Sequence, residues 1–439
     1  MSKDLISLVE KIEASELASK INDANLTAAD MLINADPVWV DILPAGEIVE
    51  GLGDYTVTHS GPPITYENMT ALHKRGMISA CLFEGWAKTE EEAEKLIRDG
   101  KINIISALDT NTVGSGTGII TKSVAMFVVK DRYSGQITGT FPAEGIRFQG
   151  GFCGWGLYSK EIAENLKYMR EWLFPPMKEL VKKMGGMPIK PILAESLQMG
   201  DENHTRQTAA DYIFQHVVLP KLAGMEETES ISRKQILDAI DYIAETPRFF
   251  YCLGQGACRT ATLANNGRKF STVVSAMCGN GVEYGIKIAG LGDRWFTAKA
   301  PYIHGKYNSP EFNIDMQLPW IGDSCTVECA GMGGFAAAAS PIVCGLRNLN
   351  MDESIAQTRE MEKISVAINN NYPIPNMGYD GLPCAIDMLK VIKTGITPCI
   401  HGGMIGKDGG LLGAGMARIP MECFEKALEA FSKEYGVEL

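Results

Sequence analysis

The hydrophobic pattern of the chain changes twice, and this change is what most constrains the fold. From residue 36 to residue 152 the apolar residues form short strand-like runs, DPVWVDILPA, YTVTHS, MISACLFEGWA, INIISAL, VAMFVVK and QITGTF, with one helix, TEEEAEKLIRDGK, among them. Between residues 159 and 246 they recur at helical spacing, and from about residue 249 strand-like runs and glycines return. The pattern predicts an α+β (mixed α/β) fold with two α/β lobes and a small helical domain between them.

Helix signals set the predicted domains at 1–155, 156–246 and 247–439. Ser159 is a candidate N-cap for an amphipathic helix that FPPM, residues 174–177, should end. A second helical segment, SISRKQILDAIDYIAETP, ends before Pro247. The last helix has Pro420 in its first turn and Gly436 just past its end.

Composition excludes several function classes. The formal net charge of -12 argues against nucleic-acid binding, which needs clustered Lys and Arg. The 11 cysteines are scattered and form no Cys-x-x-Cys pair, which is typical of reduced, buried thiols. No apolar run approaches the roughly 20 residues that a membrane span needs, and the N-terminal segment is a charged amphipathic helix. We therefore expect a cytoplasmic protein without membrane contact.

The polar turn MGDENHTRQT, residues 199–208, lies just before an apolar helix, TAADYIFQHVVL, for which Asp201 or Asn203 is the expected N-cap. A helix N-terminus favours an anion, whether a side chain or a ligand. The turn is therefore a candidate site, and Asp201, Glu202, His204 and Arg206 are the residues considered for catalysis. A capped helix with an exposed Glu202–Arg206 ion pair at i, i+4 spacing explains the same turn. The six histidines never have His-x-x-x-His spacing, so no metal site is expected.

A second polar segment, residues 265–301, places polar side chains at the ends of apolar runs, where loops usually present chemistry. The candidate substrate-binding residues here are Asn265, Asn266, Asn280, Asp293 and Arg294. Asn-Gly turns explain Asn266 and Asn280 on structural grounds alone. Cys278 has no histidine near it in sequence, which favours a buried thiol over a nucleophile.

Three glycine-rich loops are further candidates. DTNTVGSGTGIITKS, residues 109–123, has neither the P-loop nor the dinucleotide-binding order, so a flexible hairpin is favoured. HGGMIGKDGGLLGAG, residues 401–415, has Asp where a P-loop needs Ser or Thr, which excludes ATP binding of that kind. In residues 322–341, glycines before an alanine-rich run allow close approach of a ligand or equally of another helix. The candidates in this last loop are Asp323, Glu328, Gly333 and Gly334.

In these motifs the sequence resembles a known family, the conserved bacterial proteins typified by YlbE, YahG and AllG. The resemblance runs nearly end to end and is carried by ADPVWVDILPA, GPPITYENM, LFEGWA, MGDENHTR, NNGRKFS, CGNGVEYGIKIAGLGDRWFTAKAP, IGDSCTVECAGMGGFAAAASP and GAGMARIPMECFEKALEAF. It implies a two-lobed α+β architecture with a helical insert. It also implies a likeness to the AllG-type subunit of an oxamate carbamoyltransferase.

That likeness implies transfer of a carbamoyl group between phosphate and a small amide or amine acid, as in oxalurate plus phosphate giving oxamate plus carbamoyl phosphate, within purine or allantoin nitrogen catabolism. The implied partners are these small anionic substrates, an FdrA-like subunit related to acyl-CoA synthetases, a third small subunit and further copies of the chain. No cofactor is expected, although Asp323 and Glu328 could position an amine or bind Mg²⁺ through a phosphate.

The resemblance also implies roles for the candidate residues. Phosphate or a carboxylate would be held by Arg206, Arg294 and the N–H groups near Gly333 and Gly334. The carbonyl and amide would contact Asn265, Asn266 and Asn280, and the proton carrier would be His204, Glu202 or Asp201.

Two other functions explain the same sequence. The chain could be a non-catalytic assembly subunit, with the chemistry on the FdrA-like partner. It could instead hydrolyse a small ureido or amide compound, with water as the acceptor. Convergence of residues 199–206 and 265–294 on one cleft would favour catalysis over assembly, and phosphate dependence would separate transfer from hydrolysis.

Overall fold

The computed structural model describes residues 3–145 and 151–437, and its fold is α+β, which confirms the predicted fold class. The first part of the chain forms α1 (Lys3–Ala14), α2 (Leu17–Asn34), β1 (Pro37–Pro44), β2 (Thr56–His59), α3 (Ala71–Phe83), α4 (Glu90–Arg98), β3 (Asn103–Ser106), β4 (Thr112–Val113), β5 (Ala125–Asp131) and β6 (Ile137–Thr140).

The middle part is mainly helical. It forms α5 (Phe152–Trp155), α6 (Lys160–Tyr168), α7 (Phe174–Lys183), β7 (Met187–Pro188), α8 (Lys190–Gln198), α9 (Thr208–Ala223), α10 (Arg233–Glu245) and α11 (Phe249–Leu263).

The last part returns to a mixed order. It forms β8 (Val274–Asn280), β9 (Glu283–Ile288), β10 (Phe296–Lys299), β11 (His304–Tyr307), β12 (Ile321–Gly322), α12 (Thr326–Cys329), α13 (Pro341–Leu346), α14 (Met351–Glu362), β13 (Ser365–Ile374), β14 (Asp380–Ile386), α15 (Met388–Thr394), β15 (Cys399–Ile405), β16 (Leu411–Arg418) and α16 (Met421–Tyr435).

The strands form one five-stranded sheet, ordered β4-β6-β5-β1-β7, and smaller sheets ordered β10-β9-β8-β12 and β11-β16-β15. Two further pairs are β13-β14 and the parallel β2-β3. In the largest sheet β1 runs antiparallel to β5, with Pro37 opposite Asp131 and Pro44 opposite Ala125. A break in this register follows Trp39.

One large core joins the five-stranded sheet to the helices of residues 160–263. The ring of Trp39 on β1 lies 5.0 Å from that of Phe127 on β5, and Phe127 lies 5.6 Å from Phe249 on α11. Phe214 on α9 completes the group at 5.2 Å from Phe249. Because the middle helices bury their apolar faces on this sheet, they share a core with the first lobe, and the domain boundaries at 155 and 246 stay a prediction.

A second core lies around the four-stranded sheet and is covered by α1, α15 and α16. Gly436 ends α16 in the left-handed conformation at φ +71°, as predicted, whereas Pro420 is the N-cap of this helix rather than a residue of its first turn. All 11 cysteines are buried and unpaired, which confirms the expected thiols. Within residues 3–145 and 151–437, no helix is both long enough and apolar enough to cross a membrane.

Three local predictions were wrong. The run MISACLFEGWA was predicted as a strand but lies mostly in α3, whose N-cap Thr70 accepts the N–H of His73. FPPM does not end the helix before it, because a π turn at Met169–Leu173 leads into α7 and the prolines occupy its first turn, where N–H groups need no helical partner. The helix α11 was missed because its glycines and β-favouring residues masked its spacing.

Candidate functional site

A cavity of about 390 Å³ lies where loops from all three parts of the chain meet. Ser115 and Gly116 follow β4, Glu144 follows β6, and Gly402 and Gly403 lie on β15. Further lining residues are Phe141, Trp155, His204, Thr205, Arg248, Tyr251, Ile303, Trp320, Ser324 and Leu411. Among the described lining residues, Arg248 is the single Lys or Arg and Glu144 the single acid. A concave space of this size with a few convergent polar groups is typical of a small-molecule site.

The glycine-rich loop of residues 114–118 is fixed rather than a free hairpin. Gly116 has φ +60°, and a Cβ there would lie 1.9 Å from the carbonyl oxygen of Gly154. The Oγ of Ser115 donates to Gln255 on α11 at 2.6 Å. Glycine is therefore required where the loop packs against the wall of the cavity.

Residues 201–207 form an irregular turn, so helical spacing does not govern their contacts. Glu202 accepts the backbone N–H groups of His204 at 2.8 Å, Thr205 at 2.5 Å and Arg206 at 3.3 Å. The N-cap of α9 is Gln207 rather than the predicted Asp201 or Asn203, but Asp201 Oδ2 accepts the N–H of Ala210 in the first turn at 2.9 Å. The expected Glu202–Arg206 pair is absent, because Glu202 is fully buried by the turn and Arg206 lies 3.2 Å from Asp201 Oδ1 instead. Asp201 and Glu202 thus organise the turn that presents His204 and Thr205.

His204 is held by Glu328, the glutamate of α12. Its Nδ1 lies 2.8 Å from Oε1 and 2.9 Å from Oε2, while Oε1 also accepts the N–H groups of Gly334 and His401 at 3.0 Å each. Burial raises the pKa of Glu328, and the contacts with His204, His401 and Gly334 oppose that rise. Since a carboxylate only accepts hydrogen bonds, Nδ1 carries a proton, and Nε2 is the ring nitrogen left for a ligand in the cavity.

A second glutamate–histidine contact lies behind the first. His401 on β15 is fully buried, with Nδ1 3.6 Å from Glu202 Oε1 and Nε2 3.4 Å from Gln357 Nε2. Burial lowers the pKa of His401 to about 4, so it is neutral at pH 7. Burial alone would raise the pKa of Glu202, but hydrogen bonds and charges from His401 and His204 hold it at about 2. Glu202 therefore stays ionised and keeps its three backbone N–H partners.

Arg248 supplies the positive charge of the cavity. It precedes α11 in the left-handed conformation at φ +63°, and its N–H donates to Asp211 Oδ2 at 2.6 Å. Its Nε donates to Gln207 Oε1 and its Nη2 to the carbonyl of His204, both at 3.2 Å, and it lies 4.7 Å from the Tyr251 ring centre. No carboxylate of the described residues lies within 4.0 Å of this guanidinium. An arginine held by neutral acceptors inside a cavity is suited to an anionic ligand.

Gly333 and Gly334 connect this cluster to β15. Gly333 donates its N–H to the carbonyl of Glu202 at 2.7 Å, and Gly334 donates to Glu328. A Cβ at Gly334 would lie 2.0 Å from the carbonyl oxygen of Cys399. Both N–H groups are already taken by the protein, so close packing accounts for these glycines.

We expect Gly334→Ala to lower the free energy of unfolding by about 1–3 kcal/mol, because the added methyl collides with backbone. Chemical denaturation with a matched control measures this. Gly345 on α13 has nothing within 4 Å of its Cβ position, so Gly345→Ala should be neutral or slightly stabilising. Equal stability of the two variants would contradict the packing role.

The asparagines of the second polar segment lie outside the cavity lining. Asn265 Nδ2 donates to the carbonyl of Ala28, and Asn266 donates to Asp293 at the surface. Asn280 accepts the N–H groups of residues 282 and 283 and donates to the carbonyl of Pro62. Each has a structural partner within the chain.

Asp293 and Arg294 also lie away from the cavity. Arg294 forms an exposed ion pair with Glu434 at 2.8 Å and borders an open surface depression of about 450 Å³ along α16. The Asp293 side chain is 79% exposed and lies 3.6 Å from Lys287. Among the described lining residues, segment 199–206 is present and segment 265–294 is not, so the two do not converge and this test gives no support for catalysis over assembly.

Asp323 is buried next to the cavity residue Ser324. Its Oδ1 accepts the N–H of Gly61 at 2.8 Å and its Oδ2 that of Gly114 at 3.0 Å, and burial raises its pKa to about 7. Because N–H donors occupy the oxygens of both Asp323 and Glu328, these carboxylates do not fit a Mg²⁺ site. In the part of the chain that the structure describes, no three His, Cys, Asp or Glu side chains are grouped to hold a metal.

Sequence reasoning missed two charged residues of the cavity. Arg248 follows Pro247 and precedes Phe249 and Phe250, and an arginine isolated between a helix end and an apolar run was the available signal. Glu144 is the single acid in FPAEG, and its surroundings gave a weaker signal than those of Arg248. Neither forms a motif, because tertiary folding alone brings them to His204.

Comparison with known proteins gives concordant matches. The model of the family described as oxamate carbamoyltransferase subunit AllG matches residues 102–324. Oxamate carbamoyltransferase subunit AllG of Escherichia coli K12 is 32% identical over 424 residues, which are 95% of this chain and 99% of the relative. YahG, an uncharacterized protein of the same strain, is 32% identical over 439 residues, which are 99% of this chain and 90% of the relative. A crystal structure of a conserved protein of unknown function from Enterococcus faecalis V583 has a TM-score of 0.88 at 30% identity and covers 95% of this chain and 99% of its own.

Proposed function

Since the chain belongs to the AllG family, we propose that it is the subunit of a carbamoyltransferase that binds the small anionic substrates in the cavity around His204 and Arg248. The relative from Escherichia coli carries oxamate carbamoyltransferase in its name. The observation that carries the proposal is an arginine that has no acid partner among the described residues and lies beside an oriented histidine in the same cavity.

The proposed reaction converts oxalurate and phosphate into oxamate and carbamoyl phosphate. A phosphate oxygen attacks the carbamoyl carbon, the bond from that carbon to the amide nitrogen breaks, and the phosphate proton ends on the oxamate nitrogen. The atoms balance without a covalent enzyme intermediate. The protein must hold an anion, orient the two reactants and move one proton.

Arg248 is the proposed anion holder. Neutral oxygens fix its guanidinium, so a phosphate or carboxylate adds the direct ion-pair partner that this arginine lacks among the described residues. Arginine binds both groups through paired N–H donors. Thr205 lines the same cavity and has a buried Oγ1 without a hydrogen-bond partner, which offers the ligand a further donor.

His204 is the proposed proton carrier. Glu328 fixes Nδ1 in the protonated state, so Nε2 can accept the proton of phosphate and deliver it to the leaving amide nitrogen. Asp201 and Glu202, the other carboxyl groups of the turn, contact backbone N–H groups and would act by holding the turn in place.

We also propose that the chain works in the cytoplasm with companion subunits, including an FdrA-like one, and with further copies of itself. The family name describes a subunit, which supports a multi-protein assembly. The role in purine or allantoin nitrogen catabolism follows from oxalurate as the substrate.

Calorimetry with phosphate, carbamoyl phosphate, oxamate and oxalurate tests the anion site. We expect Arg248→Gln to weaken binding of the phosphate ligands by at least about tenfold, since a charge-assisted hydrogen bond is lost. Arg294→Gln is the matched control, because that arginine pairs with Glu434 on the surface, and it should bind as the wild type does.

Each other outcome favours a different function. Binding that survives Arg248→Gln contradicts the anion site. No binding by the wild type favours an assembly role, with the chemistry on a companion subunit. Turnover of oxalurate without phosphate favours hydrolysis.

A further inference from the structure

Glu144 is a buried carboxyl group of the cavity to which the proposed reaction gives no role. It is 4% exposed and lies just after β6, and its Oε1 accepts the backbone N–H of Cys153 on α5 at 2.7 Å. Asn165 on α6 donates to the carbonyl oxygen of Glu144 at 2.8 Å and fixes the backbone. The position of the side chain is therefore set from two sides.

The other oxygen, Oε2, is buried and has no hydrogen-bond partner among the described residues. Burial raises the pKa of Glu144 to about 7, although hydrogen bonding from the backbone and thiol of Cys153 and from the backbone of Gly151 opposes that rise. A buried carboxyl oxygen without a partner is costly unless a ligand satisfies it. Since Glu144 lines the cavity, a bound substrate can reach this oxygen and satisfy it.

The ligand atom that meets Oε2 must be a hydrogen-bond donor when the carboxyl is ionised. Carbamoyl phosphate and oxalurate share an NH₂–C(=O) group, and its N–H hydrogens are donors. Phosphate oxygens and the carboxylate of oxamate are acceptors and would be repelled. The anionic end of the substrate is accordingly assigned to Arg248, the single Lys or Arg among the described lining residues, and the carbamoyl end to Glu144.

We propose that Glu144 Oε2 accepts a hydrogen bond from the amino group of the carbamoyl moiety and so makes the site specific for carbamoyl over other acyl groups. This role rests on the proposed function, because it specifies which substrate atoms the same cavity recognises. The expected substrate class is an N- or O-carbamoyl compound with an anionic end.

Acetyl phosphate is a suitable probe because a methyl group replaces the amino group of carbamoyl phosphate with almost no change in shape. A site built to hydrogen-bond a substrate N–H rejects the analogue that lacks it. At pH 8 the wild type should bind carbamoyl phosphate about 10- to 100-fold more tightly than acetyl phosphate, as measured by calorimetry.

Glu144→Gln should remove this preference. The N–H of Cys153 requires an acceptor, so the amide oxygen of the glutamine takes the position of Oε1 and its NH₂ group takes that of Oε2. A donor then faces the donor of the substrate. Binding of inorganic phosphate should be retained or become tighter, because Arg248 is intact and the negative charge of Glu144 has been removed.

The control is Glu84→Gln. Glu84 also accepts a backbone N–H, from Ser123 at 3.0 Å, but it does not line the cavity, so its variant should keep the wild-type preference. Equal affinity of the wild type for both acyl phosphates overturns the role of Glu144 alone, as does a preference that persists in Glu144→Gln. Failure of the wild type to bind phosphate or either acyl phosphate overturns the proposed function and this assignment with it.

Discussion

Replacing His204 with asparagine should lower the turnover of oxalurate phosphorolysis by about 10²–10⁴-fold, the usual contribution of a positioned proton carrier. The asparagine amide can still donate to Glu328 in place of Nδ1, so the buried carboxylate keeps a partner. What is lost is Nε2, the atom proposed to carry the proton. The fold and the affinity for phosphate should remain close to those of the wild type, because Arg248 is unchanged.

The measurement is phosphate-dependent release of oxamate by the chain together with its companion subunits. Two measurements on the same preparation show why turnover is lost. Calorimetry with phosphate reports whether binding is retained, and thermal unfolding reports whether the variant is folded. Wild-type turnover in a folded His204→Asn variant would remove His204 from the reaction. Loss of binding together with turnover would instead assign it to substrate binding.

Capping residues and hydrophobic spacing correctly predicted helix ends that are determined by residues close together in sequence. The helix α10 begins at Ser232, whose side chain and that of Gln235 form a reciprocal capping box, and it ends before Pro247 as its spacing indicated. Ser159 caps α6 as predicted. In contrast, α3 and α11 are buried on several sides, so their apolar residues do not form a single stripe. Periodicity fails for such helices because burial no longer distinguishes one face.

The candidate site was only partly predictable for a related reason. The turn of residues 199–208 attracted attention through its density of polar groups, and it does present His204 to the cavity. Its partner Glu328 is 124 positions away, and only the fold brings the two together. Asn280 and Arg294 were equally conspicuous in sequence, yet a turn and a surface ion pair use them. A high density of polar residues in a segment indicates many hydrogen-bonding groups. It does not show whether a ligand or the protein itself supplies their partners.

Glu328 allows a test of how His204 is oriented. Its Oε1 accepts two backbone N–H groups, from Gly334 and His401, and its Oε2 lies 2.9 Å from His204 Nδ1. In Glu328→Gln the backbone donors should hold the amide oxygen at Oε1. The amide NH₂ then faces Nδ1 as a donor and favours the tautomer with the proton on Nε2, in competition with the amide oxygen at the Oε1 position, which lies 2.8 Å from Nδ1 and accepts from the other tautomer.

We expect this variant to fold and to lose about 10³–10⁴-fold in turnover, since the ring keeps its place but the cavity now meets a protonated Nε2 that cannot accept. The ¹⁵N chemical shifts of His204 in histidine-labelled protein report which nitrogen is protonated, and a merely structural role would not move them. Glu328→Ala is the contrasting variant. It leaves two buried N–H groups unpaired and should cost about 3–5 kcal/mol in the free energy of unfolding, whereas the glutamine should cost far less. If the glutamine variant turned over normally with Nε2 protonated, proton transfer through His204 would be excluded, because the ring could no longer take the proton from phosphate.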